Sequence, residues 1–315
     1  MLLLMGRPKM KAKKIKPLTP PRLRRGDTVG VVAPASHFDL EKFNRGIAVL
    51  NSMGFNTSIP EKLFNKKEYF AGSDFKRAEM VNRYFADPTI KAIMCARGGY
   101  GSIRILSLLD YKTIQKNLKI FIGFSDVSAL LSTFYSRCRL VTFHGPTVTT
   151  LGNSDNRTKE SLLSMMTSGE KLEIAMESGI TIQPGSASGP VLGGNLNTLC
   201  HLLGTRFQPD FKGCILFLED RGEAAYRIDR MLSQMKLAGC FNSLAGLILG
   251  NFIDCGDTDE IIRIAGDIFK GDEIPIIAGL EVGHGKRNLA IPIGLNATVN
   301  VDQKLLIFHE PATTG

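Results

Sequence analysis

The stretch that most constrains the fold is residues 119–131, KIFIGFSDVSALL. Three apolar residues, Ile120 to Ile122, end at Gly123 and predict a short buried strand. From Val127 onward, apolar residues recur at helical spacing, which predicts a helix with one apolar face. Ser125 lies between the two elements. At such a junction a hydroxyl is exposed beside free helix N–H groups, so this serine is a candidate nucleophile.

The stretch matches only part of the nucleophile-elbow motif G-x-S-x-G of α/β-hydrolases. The residue two positions after Ser125 is Val127 and not glycine. The alternative interpretation is that Ser125 or Asp126 simply caps the helix that follows. This stretch alone leaves both interpretations open.

Strands and helices alternate through the first 150 residues. The pattern predicts strands at 28–33, 56–59, 91–96, 120–122 and 140–143, and helices near 40–53, 70–86 and 127–138. Such alternation is typical of a parallel, doubly wound α/β sheet whose functional loops follow the strand C-termini.

The alternation of strands and helices becomes irregular at about residue 152, with one helix expected near 157–167, and is regular again after residue 184. We therefore predict four segments: a basic disordered tail at 1–22, an N-terminal α/β domain at 23–150, a crossing segment at 151–184 and a mixed α/β domain at 185–315. In the last domain we expect strands at 214–218, 245–249 and 276–277, helices at 224–237 and 261–269, and a hairpin from 297 to 308.

The excess of positive charge is confined to the start of the chain. Nine of the 39 Lys and Arg residues lie in residues 1–25, which hold no Asp or Glu, so the 30 that remain balance the 30 acidic residues. The rest of the chain is neutral overall, which argues against nucleic acid or a membrane as a partner. The basic tail is interpreted as a solvated extension, and contact with acidic polymers or membranes is the alternative. The sequence also lacks a recognisable signal peptide or membrane span. Six cysteines without a C-x-x-C pair predict reduced thiols and a cytoplasmic protein.

The glycine-rich turn from Arg97 to Gly101 follows a predicted strand, as in dinucleotide-binding proteins. The third glycine of G-x-G-x-x-G would fall at Arg104, and no acidic residue follows at the required distance. We expect no nucleotide cofactor. A glycine turn at a strand end also allows a backbone N–H to approach a substrate, as an oxyanion hole requires.

The five histidines are scattered and show no metal-binding spacing, so we expect no metal centre. His201 lies in an apolar helix and is interpreted as structural. His144 follows a strand of the first sheet, and catalytic and structural roles are both open. His284, between two glycines, has the freedom to reach a partner domain. With Glu219 at the end of a strand and Ser125 as nucleophile, it would complete a triad in the order Ser, Glu, His.

Several separated motifs are recognisable together. They are GDTVGVVAPAS, FAGSDFKRAEMVNRYFADPTIKAIMCARGGYGS, FIGFSDVSALL, TFHGP, GGNLNTL, FLEDRGEAAYRIDRML and GHGKRNLAIPIG. From residue 23 to about 308 the chain resembles the LD-carboxypeptidase family. These serine peptidases include muramoyl-tetrapeptide carboxypeptidases and relatives that confer immunity to microcin C.

The resemblance implies roles for individual residues. Ser125 corresponds to the nucleophile, Glu219 to the triad acid and His284 to the triad histidine, while the backbone N–H groups of Gly99 and Asp126 form the oxyanion hole. The implied reaction releases the terminal D-alanine of a murein tetrapeptide in cytoplasmic cell-wall recycling. The resemblance also implies an active site where the two domains meet, a homodimer, and no metal or other cofactor. The alternatives are hydrolysis of a microcin-like peptide-nucleotide and a non-catalytic peptide-binding module.

Overall fold

The computed structural model describes residues 16–315, and two mixed β-sheets organise them. The first sheet contains strands β1 to β5 in the order 2-1-3-4-5, with a further strand, β12, beside β5. The bounds are Thr28–Val32 (β1), Asn56–Ser58 (β2), Ile90–Cys95 (β3), Ile120–Gly123 (β4), Thr142–His144 (β5) and Ile291–Ile293 (β12). Strands β1 to β5 are parallel, and their order is that of a doubly wound sheet.

Helices connect the strands of the first sheet. They are Leu40–Ser52 (α1), Asp74–Ala86 (α2), Ser102–Ile105 (α3), Tyr111–Lys116 (α4), Ser128–Cys138 (α5) and Val148–Leu151 (α6). Side chains of Asp39 and Ser73 cap α1 and α2 by accepting hydrogen bonds from backbone N–H groups two or three residues into each helix. These caps explain why both helices begin where they do.

The second sheet has eight strands in the order β6-β14-β13-β8-β9-β10-β11-β7. Their bounds are Glu173–Ala175 (β6), Ile180–Gln183 (β7), Ser186–Asn195 (β8), Ile215–Arg221 (β9), Gly246–Ile253 (β10), Ile276–Ala278 (β11), Asn296–Asn300 (β13) and Leu305–Phe308 (β14). The helices of this half are Asn156–Thr167 (α7), Leu196–Cys200 (α8), Ala225–Leu237 (α9) and Thr258–Ile268 (α10). Strands β8 to β11 are parallel, and the outer strands are antiparallel.

The predicted fold class, with two α/β units and a C-terminal hairpin, is confirmed, with three differences in detail. The first sheet is not purely parallel, because Ile291–Ile293 adds an antiparallel edge strand to β5. The strand predicted to end at Leu218 continues to Arg221, so Glu219 lies inside a strand and not after it. Besides α7, which agrees with the predicted helix near 157–167, the crossing segment 151–184 contributes two edge strands, β6 and β7, to the second sheet.

The predicted disordered tail, residues 1–22, lies mostly outside the described residues. Its last part does not fit that prediction. Leu18 forms a β-bridge with Leu140, and the backbone N–H of Arg22 donates to the carbonyl of Thr314 at 2.6 Å. These backbone hydrogen bonds, together with the burial of Leu23, fix the chain before β1 begins. Within residues 16–315, no helix is both long and apolar enough to span a membrane.

The two halves are joined beside the strand ends that carry the site. The backbone N–H of Asn195, at the end of β8, donates to Ser128 Oγ at the start of α5 at 3.0 Å. Gly194 adopts φ +141°, and a Cβ at this position would overlap the side chain of Ser128. Because the second half approaches α5 this closely, the C-terminal ends of β4 and β9 face a common cleft.

We predict that Phe121→Ala lowers the free energy of unfolding by about 3–5 kcal/mol. Phe121, in the strand before Ser125, is fully buried, and its ring centroid lies 4.8 Å from that of Phe134. Denaturant unfolding measures the effect. Leu237→Ala, at a side chain that is 90% exposed, is the matched control and should change stability by less than about 0.5 kcal/mol. Equal losses in the two variants would contradict this account of the core.

Candidate active site

Ser125 lies at a strained turn between β4 and α5. Its φ is +64°, in the left-handed region that non-glycine residues rarely adopt. A single turn of 3₁₀-helix, Ser125–Val127, follows before α5 begins. A Cβ added to Gly98 would lie 2.9 Å from Ser125 Cβ. The turn from Arg97 to Gly101 that follows β3, which we call the glycine loop, therefore passes directly beside the serine. This is the strand-turn-helix geometry that exposes a nucleophile.

Asp126 does not cap α5. Its buried carboxylate accepts a hydrogen bond of 2.8 Å from the backbone N–H of Ser102, the first residue of α3 directly after the glycine loop. Burial raises the pKa of this carboxyl group, and the hydrogen bonds from backbone N–H groups oppose the rise. The side chain therefore ties the turn of Ser125 to the loop that contains Gly99.

The glycine loop is held from the other side as well. The backbone N–H of Tyr100 donates to Ser36 Oγ at 3.0 Å, and the buried guanidinium of Arg77 donates to the carbonyl of Gly101 at 2.9 Å. Gly99 has φ +104°, where a side chain would strain the backbone. The loop is therefore a rigid wall beside Ser125.

Glu219 and His284 form a close buried pair. His284 Nδ1 lies 2.7 Å from Glu219 Oε2, and the backbone N–H of His284 donates to the same oxygen at 3.2 Å. Glu219 is fully buried, whereas the side chain of His284 is 15% exposed. The carboxylate thus fixes the Nδ1 side of the imidazole and leaves Nε2 for the cleft.

His144 lies on the other side of the same carboxylate. Its Nε2 is 3.9 Å from Glu219 Oε1, both side chains are fully buried, and Phe124 and Phe217 contact the imidazole edge-on. Burial lowers the pKa of His144, which keeps the ring neutral. Because His144 has no exposed surface, it cannot touch a substrate. The structure therefore favours the structural role that the sequence left open.

The two histidines determine the charge of Glu219. Burial alone would raise the pKa of this carboxyl group, but contacts with His144 and His284 outweigh it and bring the pKa down to about 2. At 3.9 Å the contact with His144 is longer than a hydrogen bond, so we attribute the lowering mainly to His284. Glu219 is ionised at neutral pH.

A network fixes the loop that carries His284. Arg287 pairs with Asp155 and Glu281 at 2.8 Å each, and the backbone N–H of Asn288 donates to Thr158 Oγ1 at 3.2 Å. Asp155 also caps α7. The loop is thereby attached to the start of α7 on one side and to Glu219 on the other.

The neighbouring carboxylates have other partners. Asp220 points to the opposite face of β9, where it accepts hydrogen bonds from Asn195 Nδ2 and the backbone N–H of Asn197, each at 2.8 Å. Burial raises the pKa of Asp220 to about 6. Glu223 accepts from Asn197 Nδ2 and lies 3.4 Å from Arg227. Of the three acids, Glu219 is the one whose carboxylate contacts His284.

Two cavities meet at Ser125 and His284. The smaller has a volume of about 430 Å³, and its walls include Tyr100, Arg104, Asn197, His201 and Asp220. The larger, of about 640 Å³, lies between α1, α6 and the loop of His284. Together they form one cleft with Ser125 at its centre, large enough for a short peptide.

The structure brings Ser125, His284 and Gly99 to one cleft, with Glu219 directly behind His284. His201, interpreted from the sequence as structural, is exposed to the smaller cavity, and its Nδ1 lies 2.7 Å from the carbonyl of Asn197. Sequence reasoning missed the hydrogen bond between Asn195 and Asp220 and the network around Arg287, because only the fold joins these distant segments. In the described part of the chain, no group of three or more His, Cys, Asp or Glu side chains is arranged to hold a metal ion.

We predict that Glu219→Gln destabilises the protein more at pH 7 than at pH 3. The pKa of Glu219 is about 2, below its usual value of 4.5. Its stabilising contribution is therefore complete above about pH 4.5 and is lost as the pH falls towards 2. The difference in free energy of unfolding between wild type and variant should shrink by roughly 2 kcal/mol from pH 7 to pH 3.

Urea unfolding at both pH values measures this difference. Glu177→Gln, at an exposed carboxylate, is the control and should give a difference that does not change with pH. A constant difference for Glu219→Gln would contradict the low pKa of this group.

Comparison with known proteins identifies the family. Residues 29–145 match the LD-carboxypeptidase N-terminal domain and residues 188–299 match the C-terminal domain. A probable murein peptide carboxypeptidase of Bacillus subtilis is 35% identical over 305 residues, covering 94% of this chain and 96% of the relative. The microcin C7 self-immunity protein MccF of Escherichia coli is 31% identical over 332 residues, covering 93% and 96%.

A solved structure shares the fold. The crystal structure of a muramoyltetrapeptide carboxypeptidase from Oxalobacter formigenes superposes with a TM-score of 0.79 at 28% identity, covering 89% of this chain and 97% of that one. Both domains of one family thus match in order along a single chain. The protein belongs to the LD-carboxypeptidase family.

Proposed function

We propose that the protein is a serine-dependent LD-carboxypeptidase that releases the terminal D-alanine of murein tetrapeptides. The observation that carries this proposal is the buried Glu219–His284 pair at the cleft of the strained Ser125. A peptidase is what family membership and the names of the relatives support. The tetrapeptide substrate is supported by the muramoyltetrapeptide carboxypeptidase that shares the fold.

In the proposed reaction, Ser125 Oγ attacks the carbonyl carbon between the L-centre of the diamino acid and D-alanine. His284 Nε2 accepts the hydroxyl proton as the new C–O bond forms. The C–N bond then breaks, and His284 returns the proton to the leaving amine of D-alanine. Water, activated by the same imidazole, hydrolyses the acyl-enzyme and restores the serine.

Two features of the chain stabilise charge during these steps. Glu219, ionised and fully buried, orients the imidazole and stabilises its protonated form. We propose that the backbone N–H groups of Gly99 and Asp126 bind the oxyanion. The hydrogen bond from Ser102 to the Asp126 carboxylate supports this assignment, because it holds the two loops together before any substrate arrives.

The remaining parts of the proposal rest on the family resemblance. They are a homodimeric state, a cytoplasmic location, a role in peptidoglycan recycling and chemistry without a metal or other cofactor. MccF, a microcin self-immunity protein, is a relative of similar identity, so hydrolysis of a microcin-type peptide-nucleotide is the second candidate.

Mass spectrometry of the purified protein with each substrate tests the proposal. With a free murein tetrapeptide we expect loss of one alanine residue from the peptide. Cleavage of a microcin-type adduct alone would support the second candidate. No product from either would contradict both enzyme functions and favour a peptide-binding module.

We predict that Ser125→Ala keeps the fold and lowers the rate of D-alanine release by several orders of magnitude, because no other group supplies the attacking oxygen. The rate is measured by a coupled assay for D-alanine, and circular dichroism checks the fold. Ser136→Ala, at an exposed serine on helix α5 whose hydroxyl donates to the carbonyl of Thr133, is the control and should remain active. Retention of more than a few per cent of the rate by Ser125→Ala would rule out this nucleophile.

We predict that Glu219→Gln lowers kcat by about 10²-fold or more, since an amide stabilises an imidazolium poorly and can hold the wrong tautomer. Glu223→Gln should have a far smaller effect, because Glu223 contacts Asn197 and Arg227 and not His284. Both variants are compared at pH 7 with the same peptide. A severe loss for Glu223→Gln with a mild loss for Glu219→Gln would reverse the assignment of the acid.

A further inference from the structure

The larger of the two cavities is strongly basic. Among the residues that line it are four cationic side chains and one carboxylate, and these are Lys42, Arg97, Arg221, Lys286 and Asp39. We call it the basic cavity. Residues 26–315 are neutral overall, with 30 basic and 30 acidic residues, so this local excess is a property of the cavity and not of the surface in general.

The charges of the basic cavity are incompletely compensated. In the part of the chain that the structure describes, Lys42 and Lys286 form no ion pair, and Arg97 donates to the carbonyl of His37 at 3.0 Å. Within residues 16–315, Arg221 has one ion-pair partner, Asp254, at 3.3 Å. The Asp39 carboxylate already accepts a hydrogen bond of 2.8 Å from the backbone N–H of Lys42. Two ammonium groups thus lack an anionic partner.

The buried side-chain amide of Asn288 is a second observation that points to a ligand in this cavity. Asn288 lines the basic cavity and is 6% exposed, yet its Nδ2 has no hydrogen-bond partner among the described residues. Its Oδ1 is already engaged by the backbone N–H of Gly283 at 2.9 Å, which fixes the direction of the amide. A buried donor without an acceptor is unfavourable, and an acceptor supplied by a ligand would correct this.

The smaller cavity is different. Among the residues that line it are two cations: Arg104, which is bound through Nε and Nη2 to the carboxylate of Asp74, and Arg221, which it shares with the basic cavity. Its wall also contains the buried Asp220. Charge there is largely matched within the protein. The preference for an anion is therefore confined to one side of Ser125.

We propose that the basic cavity binds the acyl part of an acidic peptide through a free carboxylate, with Lys42 and Lys286 as its charged contacts. The inference rests on the proposed function and specifies its substrate class. On the acyl side of a murein tetrapeptide, the γ-linked D-glutamate carries a free α-carboxylate, and a diaminopimelate residue at the third position would add a second free carboxylate. Lys42 and Lys286 are assigned to the first of these. The protein should discriminate against a peptide in which that group is an amide.

Two synthetic tetrapeptides test the proposal. They are identical, including the C-terminal carboxylate, except that the α-carboxyl group of the second residue is free in one and amidated in the other. We expect kcat/KM to be about fivefold or more higher for the free acid, mainly through KM. The advantage should fall as salt is raised from 0.05 to 0.5 M, since screening weakens exposed charge pairs.

Substitutions of the two lysines test whether they cause the preference for the acid peptide. Lys42→Met and Lys286→Met, singly and together, should bring the ratio of the two kcat/KM values towards one by weakening the acid peptide alone. Lys270→Met, at an exposed lysine that lines neither cavity, is the control and should keep the ratio of the wild type. Equal efficiency with the two peptides, or equal losses for both in the double variant, would overturn the proposal.

Binding separates this inference from the proposed function. Calorimetry with Ser125→Ala protein measures the affinity for both peptides without turnover. Tighter binding of the acid peptide would support the proposed role of the basic cavity. If the wild type nevertheless released no D-alanine, that second result would contradict only the proposed function. Equal affinities together with normal D-alanine release would overturn the basic cavity and leave the function standing.

Discussion

A carboxylate removed entirely from water, Glu219, is the constraint on which the rest of the site depends. An ionised group in the interior is stable only where hydrogen bonds replace its lost solvation. His284 supplies two, from its ring and its backbone, and Gly283, which has φ +108°, lets the chain pass close enough to do so. The histidine can therefore hold its position only because the second sheet presents Glu219 there.

The elements that carry the triad could be predicted from local pattern. The apolar run before Gly123 and the helical periodicity after Val127 are strong enough to place Ser125 at a strand-to-helix turn, and the structure has β4 and α5 there. The order of motifs along the chain then indicated the family, which the domain matches confirm. The assignment of the triad and oxyanion groups remains a prediction for the activity measurements to test.

What the sequence did not reveal depends on contacts between distant segments. No local signal links Asp155 with Arg287, or Asn195 with Asp220, because each pair is joined only when two halves of the chain pack together. The complete burial of His144 could not be predicted either, because it results from the packing of Phe124 and Phe217, which are distant in sequence, against the imidazole. The end of the strand that contains Glu219 could not be placed from the sequence, because the apolar run stops at Leu218, whereas the partners of Glu219 allow it to be buried inside β9.

The edge strand Ile291–Ile293 completes the first sheet late in the synthesis of the chain. This strand pairs with β5 of the sheet that holds the nucleophile, yet it comes only seven residues after His284 in the sequence. A ribosome making the protein must pass residue 293 before the first sheet is complete, and the histidine emerges in the same interval. The last strand of the nucleophile's sheet and the proposed catalytic base are therefore synthesised together, and a chain that ends before residue 284 lacks both of them.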